Sequence, residues 1–317
     1  MSLFAAEPPP TPPWEAQALV DHPLVGKIWS VAWRRYLSPD EAVRVLSKGA
    51  FILLGEKHDN PDHHKLQAWV LNRLLEDGRK LGVGFEMMDR DKAPVLAAYR
   101  EAHPKDAAGL GAALDWATTG WPEWGQYQPL AQAALERGLP LIPANLPRAT
   151  VKAMGKEGIS ALPPGEAARL GLDRPLSPEH EAALAEEIRQ AHCGHLPETV
   201  VPRMIDVQRA KDAAMALALT EESPEGGVLI TGSVHARADR GVPFHLAGRK
   251  VTTAAFLEVN ARWSKPDDYA AGFGAAELPF DVVWFTPRVD EADPCEKYAE
   301  QLKALRDKGI GNGMKTP

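Results

Sequence analysis

The stretch AFILLGEKHDNPDHHKLQAWVLNRLL, residues 50–75, decides the fold. Ala50–Leu54 is a short, continuous apolar run that stops at Gly55, and unbroken apolarity marks a strand covered on both faces, as in a parallel sheet. Asn60 then offers an N-cap oxygen, Pro61 suits the first helical position, and Leu66, Val70 and Leu74 recur at i, i+4 and i+8. A buried strand feeding an amphipathic helix is half of a strand–helix–strand unit. Between the two lies a polar loop, Gly55-Glu56-Lys57-His58-Asp59.

Working outward, five more apolar runs have the same character: Leu81–Phe85, Leu139–Ile142, Gly227–Ile230, Val251–Leu257 and Val282–Phe285. A second helix is expected from Gln126 to Arg137, with Gly138 as its stop. The alternation predicts an α/β fold, a mostly parallel sheet flanked by helices. One connection is far longer than the dozen or so residues that a parallel crossover needs. It runs from Pro147 to Gly226, opens with Gly155, Gly158, Pro163, Pro164 and Gly165, and then turns helical over His180–Ala191 and Glu198–Leu219. The expected division is a Pro-rich tail over 1–20, a sheet domain over 21–146 and 227–317, and an inserted smaller helical subdomain over 147–226. That subdomain reads either as a lid over a site or as a plain helical extension.

Ligands of open α/β sheets bind outside the carboxyl ends of the strands. Here those ends carry Glu56 and His58, then Glu86, Asn145, Ser233 with His235, and Glu258. Glu56 and His58 share one side of an extended segment, because side chains alternate with period two. Glu56, His58, Glu86 and His235 therefore offer two imidazoles and two carboxylates. That set fits one divalent ion such as Zn or Mn with an open position, as in metal-assisted hydrolysis, or else a hydrogen-bonded network without metal. His63 and His64 are expected to decorate the start of the helix, where Asp59 and Asp62 suit the dipole.

A second constellation lies in the insert: Ala191-His192-Cys193-Gly194-His195-Leu196-Pro197. Two histidines in a break between helices can ligate iron or grip a cofactor edge, with Met204 and Met215 at nearby helix positions. The competing reading is histidine at a helix C-terminus and methionine as core filler. Trp116, Trp121, Trp124 and Tyr127 cluster further up the chain and either stack on a planar ligand or pack the sheet edge; Tyr127 is the one able to present a polar tip.

Of the 317 residues, 44% are hydrophobic and 25% charged, an ordinary globular composition. A net charge of −7 argues against a general nucleic-acid binder. Mean hydropathy is −0.28, and no apolar run reaches the roughly 18 residues of a membrane helix. With two cysteines, Cys193 and Cys295, there is no disulfide framework, and a single bridge between them is left open. The start shows no cationic and apolar leader pattern. Pro8–Pro13 reads as a stiff spacer, either a solvated tail or the stalk of an envelope protein whose lipidated or signal segment was trimmed.

Five strings, in this order, carry a family resemblance: ILLGEKHDNPDHH (52–64), GFEMMDRD (84–91), Trp121-x-x-Trp124-x-x-Tyr127 with GLPLIPANLPR (138–148), QRAKDAAMA (208–216) and TGSVHARADRGVP (231–243). Together they resemble the ChaN family of haem-binding, iron-regulated lipoproteins, grouped with TIKI-type and erythromycin-esterase-like proteins. The resemblance covers roughly residues 40–250. It implies an α/β domain with a smaller helical domain, haem as ligand, a role in iron or haem acquisition or storage, and an envelope location, with the cytoplasm as the alternative. Haem is then expected at the helical subdomain, through His192, His195 or Tyr127, with Met204 and Arg203 beside it; a shallow haem site would be shielded in a homodimer. Relatives in the wider group are metal-dependent hydrolases that resemble this chain at Gly55-x-x-His58, Glu86 and His235, which leaves Glu56, His58, Glu86 and His235 as the catalytic alternative.

Overall fold

In the computed structural model, which describes residues 13–300, 302 and 303, all six expected strands form and share one sheet. They are β3 (Phe51–Glu56), β4 (Gly82–Asp89), β5 (Leu141–Asn145), β6 (Gly227–Gly232), β7 (Val251–Glu258) and β8 (Val282–Thr286). Two short strands, β1 (Ile28–Ser30) and β2 (Arg35–Leu37), precede them. The sheet order is β2-β1-β8-β7-β3-β6-β4-β5, parallel from β8 to β5, with β1 antiparallel to both β2 and β8. Three-residue strands are too short to show a period in the sequence, which is why this antiparallel edge was not foreseen.

Among the described residues seven α-helices have eight or more residues: α1 (Pro39–Leu46), α2 (Pro61–Leu75), α3 (Ala93–Ala102), α4 (Trp124–Glu136), α5 (Arg148–Glu157), α6 (Pro178–Ala191) and α7 (Val201–Glu222). Period-two alternation divides β3 between two cores. Ile52 and Leu54 pack with Leu66, Val70 and Leu74 of α2, and Phe51 and Leu53 pack with Met215, Ala216 and Leu219 of α7. Each fully buried apolar side chain contributes about 1.5–3 kcal/mol. Helix α2 begins as its sequence dictates, with the Asn60 side chain accepting from Asp62 N. Helix α7 lies close enough to the sheet that a Cβ at Gly84 would sit 2.9 Å from Leu219 Cδ2, so the strand takes glycine there.

Packing draws two of these boundaries differently. The insert does not run to 226: the second half of α7 belongs to the core of the sheet domain, and the separate helical part has two small cores of its own around Met154 and Ile188. The tail does not run to 20. Trp14 and Ala16 are buried, Glu15 N and Ala16 N donate to the Asp62 carboxylate at 3.0 and 2.9 Å, and Ala18 bridges to Arg288. Residues 1–12, with most of the Pro8–Pro13 spacer, lie outside the described residues. The open question of the cysteines is resolved too: Cys193 and Cys295 form a disulfide, with Cα atoms 5.7 Å apart. It clamps the α6–α7 loop to the C-terminal segment. A second clamp is Arg237, almost wholly buried, which donates to Glu187 of α6 at 2.8 Å and to Asp239.

Candidate functional site

Glu56 is the last residue of β3 and is buried. His58 Nδ1 lies 2.8 Å from its Oε1, and the Tyr127 hydroxyl donates to the same oxygen at 2.9 Å. His64 Nδ1 approaches Oε2 at 3.0 Å, while its Nε2–H donates to the His58 carbonyl at 2.8 Å. Burial alone would raise the Glu56 carboxyl, yet His64 and His58 outweigh it and pull it down to about 2. His64 is raised in turn: its own desolvation opposes the charge, and Glu56 more than offsets it.

Glu86 sits where the register of β4 against β5 shifts between Phe85 and Asp89, the kind of irregularity that re-aims a side chain. Its Oε2 accepts from Thr231 Oγ1 and from Gly232 N, both at 2.8 Å. Its Oε1 takes the Lys211 ammonium at 2.9 Å and lies 3.2 Å from His235 Nε2. On its other side His235 Nδ1–H donates to Asp212 at 2.6 Å. Burial opposes the charged forms here as well, but the pairing wins: Glu86 is held well below the usual range and His235 is pushed up to about 9. Gly232 joins the two halves, since a Cβ there would stand 3.1 Å from His58 Nε2 and 3.6 Å from Glu86 Oε2.

The four strand-end residues expected to converge, Glu56, His58, Glu86 and His235, do meet at one end of the sheet. The divalent metal expected there is not supported. Among the described residues no group of three His, Cys, Asp or Glu has the geometry to hold an ion. The physical reason is Lys211, whose ammonium stands 2.9 Å from Glu86 and 3.3 Å from His235 Nε2, with its side chain only 15% exposed. Three buried carboxylates, Glu56, Glu86 and Asp212, face Lys211, His235 and His64, so the cluster balances its charge internally. Glu258, Asn145 and Ser233 turn out to be brackets. Glu258 accepts from Asn60 and Val289 N, Asn145 donates to the Glu86 carbonyl, and Ser233 donates to the Glu56 carbonyl. His63 is a structural pin between Lys57 N and Thr286, whereas His64 belongs to the site.

The residues expected to take haem lie in several packing environments. Tyr127 is fully buried and spends its hydroxyl on Glu56, and burial, reinforced by the neighbouring Glu56 carboxylate, pushes its phenol well above the ordinary value. Met204 packs inside the insert with Ile188 and Leu196, and Met215 packs against the sheet, so both are core filler. His192 caps α6 through the Ile188 carbonyl at 2.7 Å. His195 and Arg203 are half-buried, and neither lines the pocket described next.

That pocket opens between α6, α7 and the segment from Val234 to His245 and is partly open to solvent. Leu176, Leu184, Val234 and Phe244 form its apolar part, and Phe244 and Val234 are 49% and 43% exposed. His180, His245, Gln208, Arg209 and Arg240 are its polar part, and Asp212 with His235 closes its floor. The first five are not among the residues expected to take haem. Two of them, Gln208 and Arg209, fall in the QRAKDAAMA string, and Arg240 falls in TGSVHARADRGVP.

A search of curated proteins finds no match for the chain. Among solved structures it is similar to the Campylobacter jejuni ChaN structure titled for cofacial haem binding, at 21% identity and a TM-score of 0.60, over 81% of this chain and 95% of that one. It is also similar to an erythromycin esterase variant in its open conformation, at 12% identity and a TM-score of 0.38, over 70% and 73% of the two chains. The family model described as "Haem-binding uptake, Tiki superfamily, ChaN" matches residues 42–246, more than half of the sequence. With the parallel sheet, the strand-end cluster and that span in agreement, the chain belongs to the ChaN haem-binding family of the Tiki superfamily.

Proposed function

We propose that this protein binds haem at its helical subdomain, in the pocket between α6, α7 and the 234–245 segment, in the service of iron or haem acquisition or storage. The observation that carries the reading is the pocket's unspent chemistry. Gln208 Oε1, Arg209 Nε and Arg240 Nε are buried without a hydrogen-bond partner among the described residues, beside the exposed Phe244 and Val234. An apolar macrocycle with carboxylate arms suits that combination. Bound haem supplies the iron centre; the chain's own groups supply apolar cover, propionate pairing and an imidazole.

A second copy of the chain is expected to cover the bound haem, as the cofacial binding named for the Campylobacter jejuni relative suggests. The Cys193–Cys295 bond supports an oxidising compartment such as the envelope, because such bonds persist there. The test is titration of the purified protein with hemin. A saturable Soret change at about one haem per chain is expected, and its absence would sink the reading.

The strand-end cluster supports a second reading, hydrolysis without metal. His58 donates Nδ1–H to Glu56, which fixes the tautomer and leaves the Nε2 lone pair facing the Gly232 side with its side chain 20% exposed. That is the arrangement of a general base. Nε2 would take a proton from water as the hydroxyl adds to an acyl carbon, Lys211 would stabilise the oxyanion, and the proton would pass to the leaving oxygen. Ester hydrolysis that survives chelator and disappears in His58→Ala would support it. Activity abolished by chelator, or unchanged in the variant, would exclude it.

A further inference from the structure

At the end of the sheet opposite the strand-end cluster, exposed cations and aromatic rings share one face. The parallel strands begin there, with Lys48 just before β3, Arg79 and Lys80 before β4, and Arg249 and Lys250 before β7. These residues gather around the start of β3. Arg79 donates to the Ser47 and Gly49 carbonyls at 3.2 and 2.7 Å, the Lys250 carbonyl accepts from Ala50 N and Phe51 N, and the Arg249 guanidinium stands 5.9 Å from the Phe51 ring. Nearby ion pairs use other cations, Arg34 with Asp267 and Arg35 with Glu41, and the five make none among the described residues. Lys48 joins the row to the β1–β2 turn, where its ammonium and the Arg35 guanidinium each lie 5.1 Å from the centre of the Trp33 ring. That indole is 49% exposed, and Tyr36 beside it on β2 is 46% exposed.

We infer that this face docks on a lipid bilayer bearing anionic headgroups, with Trp33 and Tyr36 at headgroup depth and the lysines and arginines on the phosphates. Charge complementarity carries the inference: a chain of net charge −7 gathers unpaired cations beside its most exposed indole. The carboxylates at this end do not cancel them. Asp281 is spent on Thr253 N at 2.8 Å, and the exposed Asp77, Glu222 and Glu225 border the row on the side of β4 and β6. Tryptophan and tyrosine suit a membrane interface because each has an apolar body and a polar tip. Each lysine or arginine near an anionic surface strengthens partitioning by about fivefold. A nucleic acid would need open aromatic faces on which to stack its bases, and the Trp33 ring is already engaged by two cations. Strand β3 is six residues long, which separates its two ends by about 20 Å. Docking at the strand starts therefore leaves the strand-end cluster pointing away from the bilayer.

The experiment is co-sedimentation of the full chain with vesicles of phosphatidylcholine alone and of an equal mixture with phosphatidylglycerol. Binding is expected to the mixed vesicles only, and it should weaken as salt rises, because screening shortens the reach of the charges. Lys48→Glu with Lys250→Glu should lower the partition coefficient at least about tenfold. Lys152→Glu with Lys156→Glu makes the same charge change at exposed positions of α5 and should leave it within about twofold. Trp33→Ala should lower it about fivefold and remove part of the fluorescence quenching by brominated lipid. The substituted side chains are all exposed, so melts of these variants should match the wild type. Failure of the wild-type protein to bind mixed vesicles overturns the inference, and so does an equal loss in the two double variants, which would reduce the effect to net charge. A dimer broken by Trp33→Ala, or capture of a single-stranded oligonucleotide, with no vesicle binding would give the face to a second copy or to nucleic acid and overturn it as well. Hemin titration is read separately, so none of these outcomes touches the haem reading.

Discussion

The strand-end cluster and the insert pocket share a wall, the His235–Asp212 pair, and treat polar groups in opposite ways. On the sheet side nearly every buried polar atom is answered by another: Glu86 alone collects Lys211, His235, Thr231 and Gly232 N. On the insert side Gln208, Arg209 and Arg240 keep atoms unspent, and Phe244 stands half-exposed. The contrast shows that a dense group of ionisable side chains need not be a ligand site. A cluster that balances its own charge resists an incoming ion, whereas a binding site shows itself by valence left over. The difference also predicts how the two regions respond to substitution: the cluster through stability, the pocket through ligand affinity.

The largest effect is expected from Glu86→Ala. It leaves Lys211 and His235 buried without their carboxylate, and breaking a buried pair in this way costs about 3–5 kcal/mol. Denaturant melts should show that loss, while Arg209→Gln should shift stability by less than about 1 kcal/mol. Comparable losses in both would erase the distinction. The same cluster sets the pH profile. Glu56 titrates at about 2 when folded against 4.5 ordinarily, so its contribution is full above about 4.5 and is lost as pH falls toward 2. His235 titrates at about 9 against 6.5, so its contribution is full below about 6.5 and is lost as pH rises through 9. Stability should therefore be greatest between about pH 4.5 and 6.5. A curve flat from pH 6.5 to 9.5 would mean that His235 is neutral in the folded protein.

Next in size is the disulfide. The bond closes a sequence separation of 102 residues, for which chain entropy gives a contribution of about 2–5 kcal/mol. Cys193→Ser with Cys295→Ser should lower the melting temperature and speed hydrogen exchange in α6 and its loop, while β3, β4 and β6 exchange as before. Faster exchange across the whole sheet would show that insert and sheet unfold as one unit and that the clamp is global.

These regions were unequally legible in the sequence. The strands and α2 could be read because their information is local: unbroken apolarity in Phe51–Leu54, and a cap, a proline and a period in Asn60–Leu74. The convergence of Glu56, His58, Glu86 and His235 was legible too, because a parallel sheet brings all strand ends to one side. Lys211 and Asp212 were not, since nothing local in QRAKDAAMA says which strand end a helical charge will reach across more than a hundred residues to Glu86. Once Lys211 is in place, the metal reading loses its support. His64 was assigned to the helix start because the dipole argument is local, whereas its partner Glu56 is set by the turn between β3 and α2. The pocket was the least legible part. Its residues come from α6, α7 and the 234–245 segment, and what marks it, unpaired atoms, is a property of packing alone.

The smallest effect on stability, and the sharpest separation of the two regions, is expected at Phe244. Its side chain is 49% exposed and stands between the rings of His180 and His245 without filling a core. Truncation to alanine removes little buried area, so Phe244→Ala should change unfolding free energy by no more than about 0.5 kcal/mol. The same ring is the largest apolar surface at the pocket mouth, and an aromatic face against a macrocycle contributes about 1 kcal/mol beyond its buried area. Hemin affinity should therefore fall by about tenfold while the melt barely moves. Glu86→Ala, assayed below its melting point, should show the converse, a large loss of stability with hemin affinity nearly kept. Paired measurements of melt and Soret titration on these two variants decide the matter: if Phe244→Ala leaves hemin affinity intact and Glu86→Ala abolishes it, haem sits at the strand ends and not in the insert pocket.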